Sequence, residues 1–264
     1  MKAFVILLGI AACGSSDLGP GGGGGDAGAG DDGGHGGTTQ KRGYIYLMTT
    51  RATSGGTPIN AGSVSAQFRT PWASCTEKQV GRCVVSRCTQ VAFVNQSAGT
   101  ITVEGLGAPI TLTPAGDKTY PAHFGQPLFG NGETATVRGS GGEIAAFTAT
   151  VVTPRLVTIT APAATSMLTV NRAAGLHMAW TGGSGDVLVS LVSETPVVDI
   201  SCRFPASSGS ATIGADVLTE LPAGPGSLNV STLADAESAD VGVVAFYTGV
   251  WPDQSRVSAS ATFN

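Results

Sequence analysis

The stretch ETATVRGSGGEIAAFTATVVTP, residues 133–154, alternates small or β-branched apolar residues with Thr and Arg on both sides of Gly139-Ser140-Gly141-Gly142. A period of two sends successive side chains to opposite faces of a strand. A glycine-rich break between two such runs is a turn signal. The reading is two strands about a Gly-rich turn, and the pattern spreads outward from there. Towards the amino terminus it recurs at 43–50, 63–69, 82–88, 92–96, 99–105 and 109–114. Beyond Pro154 it recurs at 155–162, 166–172, 176–182, 186–193, 197–204, 226–233, 241–249 and 256–263. Only ADVLTELP (215–222) has helical spacing, and Pro222 stops it, so it reads as a short helix or turn between sheets. Many short strands at regular spacing predict an all-β fold of sandwich or barrel type.

The globular part, 43–264, is long enough for two small domains or one large sandwich. We expect two immunoglobulin-like antiparallel β-sandwich domains, 43–154 and 155–264, each near the roughly 100 residues of such a sandwich, or one large sandwich in their place.

The amino-terminal segment has a different composition. Lys2 precedes the apolar run Ala3–Ala12. That run is far short of the roughly 20 residues of a spanning helix and falls within the roughly 7–15 of a signal peptide. Ile10-Ala11-Ala12-Cys13 resembles a bacterial lipobox, an aliphatic residue, two small ones and a cysteine. The resemblance implies a signal peptide over 1–12, removal of that peptide, and lipidation (a palmitate-type acyl chain) on Cys13. By likeness to enteric lipoprotein sorting, Gly14 in place of Asp implies the outer membrane or cell surface. Residues 14–42 contain thirteen glycines in 29 positions, with Asp17, Asp26, Asp31 and Asp32. Such a segment cannot bury enough apolar area to offset chain entropy, so 13–42 is expected to be a disordered tether. It lacks the alternating ligands and closing Glu of a calcium loop, and no metal site is expected.

Four cysteines remain after Cys13: Cys75, Cys83, Cys88 and Cys202. An even number in an exported chain predicts two disulfides, and the spacing lacks the close pairs of a zinc site. Cys83 and Cys88 differ by an odd number, so on one strand they face opposite sides and do not pair with each other. Two connectivities stay open, 75–83 with 88–202 or 75–88 with 83–202. Either one carries a bridge across residue 154, which staples two domains together or marks a sheet system running through the boundary.

Charged residues make up 12% of the chain and the formal net charge is −4. Without a basic stripe to neutralise phosphates, nucleic acid is not an expected partner. There is no nucleophile elbow, zinc-protease helix, phosphate loop or dinucleotide fingerprint. GGSGD (182–186) is glycine-rich, but it joins two strands and reads as a hairpin turn. Glu104, Glu133, Glu143, Glu194, Asp199 and Glu220 are scattered, with no pairing of the kind glycoside hydrolysis requires. A non-catalytic protein without a cofactor is expected. The most distinctive loop is TYPAHFGQPLFGNGE (119–133), with Tyr120, His123, Phe124 and Phe129. It reads either as an irregular crossover whose rings plug the sandwich or as a ligand-binding loop with aromatic platforms. Trp72 and Trp251 are the other aromatic candidates for such a surface. His177 is expected to point opposite to Met178, towards solvent or the core edge.

Within 158–193, Ile159, Pro162, Trp180, Thr181 and Gly182 resemble the opening and the "W-T/S-G" step of bacterial and fungal wall-associated Ig-like modules. The whole chain is similar to surface lipoproteins of myxobacteria, with a short lipobox signal, a Gly/Asp tether and β-rich domains with a few cysteines. That resemblance brings no activity and no functional residues with it. Anchor, tether, strands and missing catalytic motifs together lead us to expect a membrane-anchored display or adhesion module, partnered by the membrane through its lipid and by a glycan or surface protein. The alternative is a carbohydrate- or envelope-polymer-binding module using the 119–133 loop.

Overall fold

The computed structural model describes residues 43–54, 57–70, 74–89, 92–163, 167–238, 240–251 and 258–264. The expected signal peptide, Cys13, the tether and Trp72 lie outside the described residues. The strands, in chain order, are β1 (Gly43–Ser54), β2 (Thr57–Thr70), β3 (Ser74–Val80), β4 (Cys83–Thr89), β5 (Val94–Asn95), β6 (Ile101–Glu104) and β7 (Ile110–Leu112). Next come β8 (Tyr120–Phe124), β9 (Thr134–Gly139), β10 (Phe147–Val152), β11 (Val157–Ala161), β12 (Leu168–Val170) and β13 (Leu176–Gly182). The last are β14 (Asp186–Glu194), β15 (Val197–Pro205), β16 (Ser210–Ile213), β17 (Gly224–Ser238), β18 (Val241–Thr248) and β19 (Ser258–Phe263). The one α-helix among the described residues, α1 (Ala215–Leu218), lies within the segment of helical spacing and links β16 to β17.

The 133–154 reading holds. β9 and β10 pair antiparallel from Thr134↔Val152 to Gly139↔Phe147, and β10 alternates buried and exposed residues without a break. Three strands were not read as such, among them the four-residue β16, Ser210–Ile213. β3 (SCTEKQV) lacks apolar alternation because it is an edge strand bonded only to β4. β8 (YPAHF) reads as loop because of Pro121, yet it bonds only to β2, and an edge is where a strand tolerates proline.

Three sheets result. The largest runs β3-β4-β15-β14-β17-β18-β1-β2-β5, with β8 beside β2 and β19 beside β17 and β12. It curls into a half-barrel. A four-stranded sheet, β10-β9-β6-β7, and a three-stranded sheet, β11-β13-β16, complete the fold. Each small sheet closes one hydrophobic core against part of the large one. Ile101, Val137 and Phe147 meet Ile45, Leu47, Phe68 and Val243 in one core. Ile159, Met178 and Trp180 meet Val189, Ile200, Cys202 and Val230 in the other. GGSGD carries the chain from β13 in the three-stranded sheet to β14 in the large one, so it is a corner between sheets rather than a hairpin turn.

Strand pairing crosses residue 154 twice. β4 bonds to β15, and β1 bonds to β18. A cut at 154/155 separates both pairs. The second pairing is parallel, Gly43↔Val241 to Thr49↔Tyr247, as is β12 with β19, so the sheet is mixed rather than antiparallel throughout. The disulfides follow the second of the two open connectivities, Cys75–Cys88 and Cys83–Cys202. Cys88 stands opposite Cys75 in the β3–β4 hairpin and Cys83 opposite Cys202 across β4 and β15. The two bridges therefore leave β4 on opposite faces, as the odd spacing requires.

Candidate recognition surface

Side-chain parity along the large sheet separates its two faces. On β17, Leu228 and Val230 enter one core while Ala234 and Ala236 pack on the other. All four share parity, so both cores lie on one face of the sheet. Leu233 points to the opposite, outer face. There it forms a third apolar cluster with Tyr44 and Val244, against which Tyr46, Leu188 and Phe246 pack. β1 accordingly buries Ile45 and Leu47 inward and presents Tyr44 and Tyr46 outward. The Tyr44 and Tyr46 rings stack at 6.0 Å between centroids, as do Tyr46 and Phe246. Tyr44 lies over Gly242, its register partner, whose lack of a side chain makes room for the ring.

Polar groups border this aromatic strip. From β15, Arg203 donates through one guanidinium NH2 group to Asp235 on β17 at 3.3 Å, with the Asp186 carboxylate at 4.0 Å. Arg203 Nε is buried without a hydrogen-bond partner. On the other side, Gln67 stands opposite Tyr44 on β2, and its buried Oε1 also lacks a partner. One orphan donor and one orphan acceptor therefore flank the rings. At about 4.8 Å per strand step, the five steps from β2 to β15 span roughly 24 Å along the sheet. Burial, and secondarily the Tyr44 hydroxyl, pushes the Tyr46 hydroxyl above the ordinary tyrosine range, opposed by Arg69. Burial also lowers the Arg69 guanidinium, opposed by Tyr46. Further along the face, burial raises the Asp199 carboxyl above its usual value. The hydroxyls of Ser201 at 2.8 Å and Ser190 at 3.4 Å partly offset this.

The aromatic residues expected at a site go elsewhere. Tyr120 is buried, and its hydroxyl donates to Gly99 O at 3.0 Å and accepts from Ala98 N–H at 2.9 Å. Its ring meets Phe68 edge-on. Phe129 is buried edge-on against Tyr247 at 5.9 Å. Phe124 is half-buried against the same core. The 119–133 segment is thus part strand and part plug. His123 is exposed at the end of β8, opposite Ser63. Trp251 is 1% exposed, with its indole N–H donating to Pro162 O at 2.9 Å. His177 lies exposed on β13 while Met178 is fully buried, as alternation predicts.

Tyr44, Tyr46 and Phe246 were legible only as strand residues. A signal was present. GYIYLMTT and VGVVAFYTG are apolar at both parities, the mark of a strand covered on both faces. What the second face packs against is set by the β1–β18 pairing, across nearly two hundred residues.

No family model matches the chain, and none of the curated proteins matches it. Among solved structures it is weakly similar to one described as "Structural insight into host cell surface retention of a 1.5-MDa bacterial ice-binding adhesin". The identity is 15%, over 74% of this chain and 76% of that chain, with a TM-score of 0.16. A likeness of that size transfers neither fold nor function.

Proposed function

We propose that this is a non-catalytic display or adhesion module, immunoglobulin-like in its two sheet-on-sheet cores, anchored at the bacterial outer membrane or cell surface through lipid on Cys13. Its recognition surface is the outer face of the large sheet, and the ligand is a neutral glycan. The observation that carries this reading is the stacked, part-exposed Tyr46–Phe246 pair beside buried Tyr44, bordered by the Asp186–Arg203–Asp235 group. Aromatic faces suit the apolar side of a sugar ring, and the part-exposed Asp186 and Asp235 carboxylates beside Arg203 offer acceptors to its hydroxyls. Charge narrows the class. The described outer face carries Glu77, Asp186, Asp199, Asp235 and Glu237 against Arg69 and Arg203, which disfavours a polyanion. The carbohydrate alternative thereby moves from the 119–133 loop, whose Tyr120 and Phe129 are interior, to the sheet face.

The test is a glycan array followed by calorimetry on the best neutral oligosaccharide. Tyr46→Ala and Phe246→Ala should each weaken binding by about tenfold or more, the loss of a contact near the centre of an interface. Asp235→Asn, which leaves the apolar cluster intact, should weaken it as well. Absence of glycan binding, or equal binding by all three folded variants, rejects the reading.

A further inference from the structure

The register of the large sheet places the two ends of the described chain at opposite ends of its longest strand. β18 runs antiparallel to the second half of β17, from Val241 beside Ser238 to Thr248 beside Ser231. β19 continues on the same side of β17, from Ser258 beside Asn229 to Phe263 beside Gly224. β1 lies parallel to β18, with Gly43 beside Val241. Gly43 therefore sits at the Ser238 end of β17 and Asn264 at the Gly224 end. The fifteen residues of β17 make that separation roughly 50 Å at about 3.3 Å per residue.

We propose that this fold carries tension between those two ends, along β17, and that the Cys83–Cys202 bridge limits how far the chain can be drawn out. An outward pull on Gly43 slides β1 lengthwise against β18 and β2. An outward pull on Asn264 slides β19 lengthwise against β17 and β12. Ladder hydrogen bonds stand across the strand direction, so a lengthwise pull loads a whole ladder together, whereas a sideways pull opens it one bond at a time. β1 is held by seven register pairs to β18 and twelve to β2. β19 is held by six to β17 and three to β12, so β19 yields first. If every ladder gives way, the disulfide joining residues 119 apart still bypasses the segment between Cys83 and Cys202. With Cys75–Cys88 also closed, the taut path runs only through residues 43–75, 83–88 and 202–264. The use of such a device rests on the surface-attachment reading above, because an anchored module holding a ligand on its sheet face takes the load at Gly43, lengthwise along β1. The mechanical geometry itself needs no ligand.

Single-molecule force spectroscopy on the full oxidised chain tests this. Handles at the two chain termini apply the lengthwise pull, and handles at the amino terminus and at the exposed Thr70, which lies at the Gly43 end of β2, apply a peeling pull. At one loading rate, the lengthwise rupture force should exceed the peeling force several-fold. Complete unfolding should add roughly 300 Å when oxidised and roughly 720 Å after reduction with a dithiol, from about 3.5 Å per residue less the roughly 50 Å already separating the ends. Equal rupture forces in the two geometries overturn the tension proposal, and equal extensions with and without dithiol overturn the covalent limit. Low rupture force with intact glycan binding removes this inference alone. High rupture force without glycan binding removes the recognition reading alone.

Discussion

Cys83 and Cys202 stand directly opposite each other on β4 and β15 and are joined, although 119 residues separate them in the chain. Both are buried in the core that Met178 and Trp180 also line. The bond therefore fixes the β3–β4 hairpin, from the first part of the chain, to a core built mostly by the second.

That arrangement makes the two disulfides unequal. In the chain-entropy account, closing a loop of about 100 residues contributes about 4–5 kcal/mol, and one of about 15 residues contributes about 3. Cys83→Ala with Cys202→Ala should lower stability by about 4–5 kcal/mol. Cys75→Ala with Cys88→Ala should cost less, since that bridge closes a hairpin already held by seven register pairs. Denaturant midpoints of the two double variants check the order, and an equal loss would contradict it.

Trp251 belongs to stability rather than to recognition. Its ring is enclosed and its N–H is bonded to Pro162 O. Trp251→Ala should cost about 3–5 kcal/mol, the usual loss for a buried large aromatic, and should leave the affinity for any ligand unchanged in the fraction that remains folded. Thermal unfolding and calorimetry on one preparation separate the two effects.

Gly242 is needed for the outer face. A Cβ there would lie 2.8 Å from Tyr44 Cδ1 and Cε1, so the ring must shift. Gly242→Ala should destabilise by about 1–3 kcal/mol, as overpacking does. Adding Tyr44→Ala frees that space, so a double-mutant cycle should show coupling between the two sites. Additive losses would place the cost of the alanine elsewhere.

Asp199 contributes a pH dependence of known sign. Burial raises its folded-state carboxyl above the unfolded value, so the folded state binds the proton more tightly. Its contribution to stability is fully present below the unfolded value, near 3.9, and is lost as pH rises through the raised folded one. Asp199→Asn keeps one acceptor oxygen, enough for the shorter Ser201 bond, and removes the charge. Melting curves from about pH 3 to about pH 8 should show the variant gaining on the wild type as pH rises through that window. A constant difference between the two proteins would exclude the carboxyl as the cause.

The 119–133 segment shows why the site was harder to read than the fold. Tyr120, Phe124 and Phe129 among prolines and glycines suit a plug better than a binding loop, since large aromatics are usually recruited to burial, but composition does not say what lies underneath. Phe68, reached through the β2–β8 pairing, and Tyr247, from near the end of the chain, supply what does. Tyr44 and Tyr46 carried the opposite ambiguity. Their spacing puts them on one face, and only the neighbour beyond β1 decides whether that face is a core.

The sequence by itself determined the all-β class, most of the strands, a short helix or turn at 215–222, and that Cys83 and Cys88 on one strand face opposite sides. Each follows from alternation, turn residues or parity, which act within a few residues of one another. Tertiary structure decided which strands are neighbours, which of two disulfide pairings forms, and which side chains gather on the outer face of the large sheet. Those outcomes depend on β1 meeting β18 and β4 meeting β15. Hydrogen bonding between strand backbones is nearly independent of side-chain identity, so local sequence does not name the partner. The choice is made by burying two cores at once on one side of a single curled sheet.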